Sequence, residues 1–128
     1  LAVEQVMRYG GVLEHPAHSA LWKHCGLPLP SVPSAGWLFQ PRAWTLEVEQ
    51  CRWGHKARKN TWVLFVGIRP EDIPPIPAWR EPTHCVDDGA ARLAGRPSQW
   101  LKLRSDETHI TPPAFAEWLI ECAKLTRR

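Results

Sequence analysis

Two short stretches hold the residue types that could do chemistry. The first is Glu14-His15-Pro16, which ends the apolar run Val12-Leu13. A carboxylate at the end of a buried strand, with a proline fixing the backbone just beyond it, can accept hydrogen bonds from the polar edge of a planar ligand. With a nucleobase it would accept from an exocyclic amine. The same carboxylate could instead cap the following helix or pair with an arginine. The second stretch is a turn that gathers Arg52, His55, Lys56, Arg58 and Lys59 beside Trp53. Its cations could neutralise phosphate oxygens while the Gly54 amide donates to them. A solvated basic hairpin tip is the plainer alternative.

Other chemistries find less support. His15, His18, His24 and Cys25 form one group of potential metal ligands, Cys51 and His55 a second, and His84 with Cys85 a third. None has the two close pairs at a fixed interval of a structural zinc site, so no metal is expected. No cysteine sits at a strand-to-helix turn beside a plausible base, which argues against a Cys–His hydrolase. No glycine-rich loop follows a strand, and no Pro-Cys dipeptide occurs.

Positioning these groups requires elements around them. Ala2, Val3, Val6 and Met7 form a helical apolar stripe that Gly10-Gly11 stops. The chain begins inside this stripe at Leu1, which reads as a cut edge. Helix, glycines and then the short strand carrying Glu14 follow the grammar of a doubly wound α/β layer. In such layers ligands bind at the carboxyl ends of strands, where Glu14 and His15 lie. Residues 17–25 read as one or two helical turns ending at Gly26. Residues 27–41 are a proline-rich loop. Residues 43–50 alternate as a half-exposed strand, and residues 61–68 form the strongest strand, apolar enough for burial on both faces. The two strands make a hairpin-like pair around the basic turn. Residues 69–110, broken by Pro70, Pro74, Pro75, Pro77, Pro82 and Pro97, read as an extended excursion with one short strand at most. A last helix is expected with Thr111 as N-cap and Pro112 in its first position. Its apolar face comprises Ala114, Phe115, Trp118, Leu119, Cys122 and Leu125.

Composition sets the frame. The 128 residues suffice for one domain and one core. The 8 Trp and 13 Pro are unusual: the prolines cut the chain into short elements, and most of the tryptophans are expected in packing. A net charge of +3 permits an acidic partner without requiring one. No segment approaches the roughly 20 apolar residues of a membrane span. The N-terminus lacks the pattern of an export signal, so a cytoplasmic location and four free thiols are expected.

Taken in order, these motifs resemble the C-terminal half of a DNA cytosine-5 methyltransferase of the phage and prophage type. The resemblance rests on Gly10-Gly11-Val12-Leu13-Glu14-His15-Pro16, Ser19-Ala20-Leu21-Trp22 and Gln50. It extends through Trp53-Gly54-His55-Lys56-Ala57-Arg58-Lys59-Asn60-Thr61-Trp62 and ends on Thr111-Pro112-Pro113-Ala114-Phe115. It is weak across residues 69–110. It implies a partial Rossmann-like, class I methyltransferase sheet with flanking helices and long proline-rich loops. Glu14 would hold a flipped cytosine, and the basic turn would face double-stranded DNA. Residues 27–41 would fall where target-recognition insertions occur. His15 stands where the family has Asn. The family's S-adenosylmethionine loop and Pro-Cys nucleophile would lie upstream of Leu1, so this chain is expected to hold no cofactor and to be inactive alone. A missing N-terminal half or a companion subunit would complete it. The alternative is a stand-alone DNA- or protein-binding module of phage origin without catalytic activity.

Overall fold

The computed structural model describes residues 1–30, 43–85, 101–102 and 109–126. Within them the chain is a small α/β protein built on three strands: β1 (Gly11–Pro16), β2 (Ala43–Glu49) and β3 (Asn60–Val66). Three helices accompany them: α1 (Ala2–Tyr9), α2 (Ala20–Cys25) and α3 (Pro113–Ala123). A minor parallel pair joins β4 (His84–Cys85) to β5 (Leu101–Lys102). Among the described residues no helix is long and apolar enough to cross a membrane.

The central strand is β3, antiparallel to β1 on one side and to β2 on the other. Its run Trp62-Val63-Leu64-Phe65-Val66 is buried on both faces, as its unbroken apolar sequence predicts. A strand so enclosed has no water for its amides and must find ladder partners on both edges. This changes the sheet from the parallel layer that the helix–glycine–strand order suggests: all pairing within it is antiparallel. Because β1 and β2 each oppose β3, they run parallel to one another. They form a βαβ unit with α2, with β3 inserted between its strands. The hairpin expected around the basic turn is present as β2 and β3.

Each face of the sheet buries its own tryptophans. On one face α3 presses Phe115, Trp118 and Cys122 onto Trp44, Val48, Val63 and Phe65, with Trp53 filling the edge. On the other face α1 and α2, the latter through Trp22, cover Trp62, Leu64 and Val66. Of the six tryptophans described, only Trp79 is exposed. Indole N–H groups find acceptors, as burial demands: Trp44 donates to the Ile68 carbonyl at 2.8 Å, Trp22 to Thr45 Oγ1 at 3.0 Å and Trp118 to the Pro74 carbonyl at 3.1 Å.

Local signals explain most boundaries. Ser19 caps α2 by accepting from the Leu21 amide, and Gly26 ends it in the left-handed region. At Gly10 a side chain would collide with the Thr126 methyl and crowd the Val66 carbonyl, so glycine lets three segments meet. The start of α3 is one residue later than expected. Pro112, at φ −56° and ψ 134°, is the cap, and Pro113 takes the first helical position. A residue preceding proline is driven out of the helical region, so in Pro112-Pro113 only the second proline can start the helix. Residues 31–42, which hold most of the proline-rich loop, lie outside the described residues, as do residues 86–100 and 103–108.

Candidate functional site

Because β1 and β2 are parallel, their carboxyl ends lie together, beside the first residues of β3. Glu14 points to the α3 face of the sheet, since Val12 and its partner Phe65 pack there and side chains alternate. Its capping role is excluded by Ser19, which fills that position for α2. Beyond Glu14 on the same face, Pro16 sits opposite Thr61 and Thr61 opposite Val48. Thr61 Oγ1 accepts from Gln50 Nε2 at 2.9 Å. Among the described residues, Gln50 Oε1 is a buried acceptor with no hydrogen-bond donor.

His15 points to the opposite face. Its Nδ1 lies 3.1 Å from Ser19 Oγ and its ring 6.2 Å from that of Trp22. Glu14 and His15 are adjacent in sequence but separated by the thickness of the sheet. The structure thus does not join them into one group. His18 also belongs to the second face, its ring 4.8 Å from Trp62. Among the described residues, the two non-glycine residues with positive φ are His18 at 63° and Lys59 at 45°. Both lie at this end of the sheet, where β1 is left and β3 entered. Left-handed backbone costs such residues about 1 kcal/mol, and strain of this kind gathers at functional sites.

The basic turn divides into bracing and presenting residues. Gln50–Trp53 forms a 3-10 turn closed by Gly54 at φ 101°. His55 is buried, and the Ala57 amide lies 2.9 Å from its Nδ1. Arg52 donates through Nε to Glu49 Oε1 at 2.7 Å and through Nη1 to the Pro77 carbonyl at 3.0 Å. These contacts engage the two residues in holding the turn in shape. Lys56 and Arg58 are exposed. Arg58 lies 3.7 Å from Glu49 Oε2, so one carboxylate serves two guanidinium groups. Lys59 is half-buried: burial lowers its pKa below 10.5, and Glu14 partly offsets this. Glu14 and Lys59, read separately from the sequence, thus lie toward the same end of the sheet, near enough for the carboxylate's charge to act on the lysine.

A further residue joins this site that sequence reasoning missed. The 69–85 segment crosses the turn, where the Lys56 carbonyl accepts the Thr83 and His84 amides at 2.9 and 3.0 Å. This carries Trp79 onto the arginines, with the Arg52 and Arg58 guanidinium carbons 5.3 and 5.5 Å from its ring centre. An open groove of about 540 Å³ runs along this junction, lined in part by Pro16, Arg58, Lys59, Trp79 and His84. The only sequence signal was an aromatic residue in a proline-rich stretch.

The two buried thiols, Cys51 and Cys122, supply no nucleophile here. Burial raises the pKa of Cys51 and pushes that of Cys122 up to about 12, which leaves both protonated and unreactive. Among the described residues no three His, Cys, Asp or Glu side chains gather as a metal would require. Nor do β1 and β2 lead into glycine-rich loops: Pro16 closes one and Gln50 follows the other. No family model matches the chain, and no curated protein or solved structure matches it.

Proposed function

We propose that this chain is the DNA-contacting, C-terminal part of a cytosine methyltransferase-like protein, and that the carboxyl end of its sheet meets double-stranded DNA. The observation that carries the reading is the shared carboxyl end of β1 and β2, which puts Glu14 toward the same end of the sheet as the basic turn. Open α/β sheets bind ligands at that end. The parallel strands β1 and β2, joined through α2 and flanking an antiparallel β3, also suit a mixed doubly wound sheet. Motif order along the chain supplies the rest of the argument.

In this reading Glu14 accepts from the exocyclic amine of cytosine, and Lys59 neutralises the carboxylate or a nearby phosphate. Arg58 and Lys56 meet the DNA backbone, while Arg52 and His55 keep the turn in shape. The 128 residues hold no Pro-Cys dipeptide. Their contribution is base and backbone contact, without methyl transfer.

Titration of a labelled duplex at several salt concentrations tests the proposal. Affinity should fall steeply with salt, and Arg58→Ala and Lys59→Ala should each reduce the slope of log affinity against log salt by about 1. Arg52→Ala should instead lower thermal stability and act on binding only through the turn. Absence of duplex binding even at low salt would overturn the reading.

A further inference from the structure

We infer that the groove between the basic turn and the 77–84 segment holds an unpaired nucleotide of single-stranded DNA, with its base on Trp79 and its phosphate on Arg58 and Lys59. The inference rests on the DNA reading above and extends it to a form of the ligand and to a residue outside the motifs.

Trp79 is the starting point. It is 45% exposed, whereas the other five described tryptophans are at most 8% exposed. Exposure alone would mean little, but this ring is also held in place. Its Nε1 donates to Glu81 Oε2 at 3.0 Å, and the Arg52 and Arg58 guanidinium groups lie against the ring. Arg52 is itself anchored twice, by Glu49 and by the Pro77 carbonyl. A large aromatic surface is thus presented to solvent in one orientation, so stacking a planar ligand on it orders little that is not ordered already. Packing against two arginines explains why the ring is fixed. It does not explain why nearly half of it is left bare along a groove.

The groove supplies the rest. Its volume of about 540 Å³ lies within the range of roughly 300–1,000 Å³ usual for small-ligand sites. Glu49 is shared by Arg52 and Arg58, so among the described residues that trio carries a net positive charge beside the ring. Lys59 adds a second cation on the same lining, where, among the described residues, Glu81 supplies the one carboxylate. An aromatic face with adjacent cations suits a base and its phosphate. An intact duplex keeps its base faces inside the stack, so only an unpaired nucleotide can use Trp79.

The test compares an oligothymidylate with a duplex of equal length at one salt concentration, with Trp79→Ala and Trp79→Phe beside the parent protein. Trp79→Ala should weaken single-strand binding about 5- to 100-fold and duplex binding less than about 2-fold. Trp79→Phe should retain most of the single-strand affinity. A melting curve for each variant checks folding, and Trp79→Leu, which still covers the arginine stems, replaces Trp79→Ala if that variant unfolds. Equal losses on both ligands, or no loss on the single strand, would overturn the inference. So would a parent protein that binds duplex but not the single strand, and that outcome leaves the duplex reading standing. A parent protein that binds neither defeats both.

Discussion

The aromatic cluster under α3 and the ring of Trp79 are separated by one short turn, yet they use the same chemistry in opposite ways. Under α3, Phe115 and Trp118 stack 6.1 Å apart and Trp53 closes on both at 4.8 and 5.1 Å. Each of these rings gains from leaving water, and together they lock helix to sheet. Trp79 leaves water only in part and is oriented by charges and a carboxylate. The first arrangement makes the fold, and a mutation there is felt globally. The second is a small rigid surface mounted on that fold, and a mutation there should be felt by a ligand.

The largest effect expected from this contrast is on stability. Trp118→Ala should destabilise the protein by about 3–5 kcal/mol, read from urea unfolding, because it empties a packed site and orphans the Pro74 carbonyl. Trp79→Ala should cost under about 1 kcal/mol in the same experiment. Similar losses for the two would abolish the distinction and make Trp79 a core residue.

A smaller effect is expected at Glu49, the joint between the regions. Glu49→Gln should cost about 1–2 kcal/mol in stability, since it weakens a partly buried, charge-assisted hydrogen bond to Arg52. Because it also releases two guanidinium groups, duplex affinity at low salt should rise. A fall in affinity would mean that the geometry imposed by Glu49 matters more to binding than the charge it offsets.

The smallest effect concerns Lys59. Its pKa is held below 10.5 in the folded protein, chiefly by burial, so the unfolded chain binds that proton more tightly. Stability should therefore rise with pH across the window between the folded pKa and 10.5. Lys59→Met should flatten this alkaline rise and lift the melting temperature at pH 7 by roughly 1–3 °C, while weakening DNA binding. An unchanged pH profile would mean that the lysine is solvated in both states.

Much of the scaffold was legible because it rests on local rules. The apolar run of β3, the alternation of β2, the Ser19 and Gly26 signals around α2 and the apolar face of α3 all act within a few residues of where they are written. The start of α3 also follows a local rule, with Pro112-Pro113 deciding it rather than Thr111. Less of the site was legible. Glu14 and the basic turn stood out by residue type, but sequence could not separate Arg52 and His55, which brace the turn, from Arg58 and Lys59, which line the groove. That division depends on which side chains Glu49, Pro77 and Ala57 reach.

By itself, then, the sequence determined which segments become helix or strand, that tryptophans build the core, and that charge gathers in one turn. These follow from periodicity, propensity and composition, which act along the chain. Tertiary structure decided the rest. It inserted β3 between β1 and β2, because a strand buried on both faces needs partners at both edges. It set Glu14 and His15 on opposite faces and brought Glu14 toward the end of the sheet where Lys59 lies, 45 residues along the chain. It also laid Trp79 over two arginines more than 20 residues away. Contacts at such separations rest on backbone hydrogen bonds between a weakly patterned segment and a distant turn, and no local pattern in that segment announces where it will land.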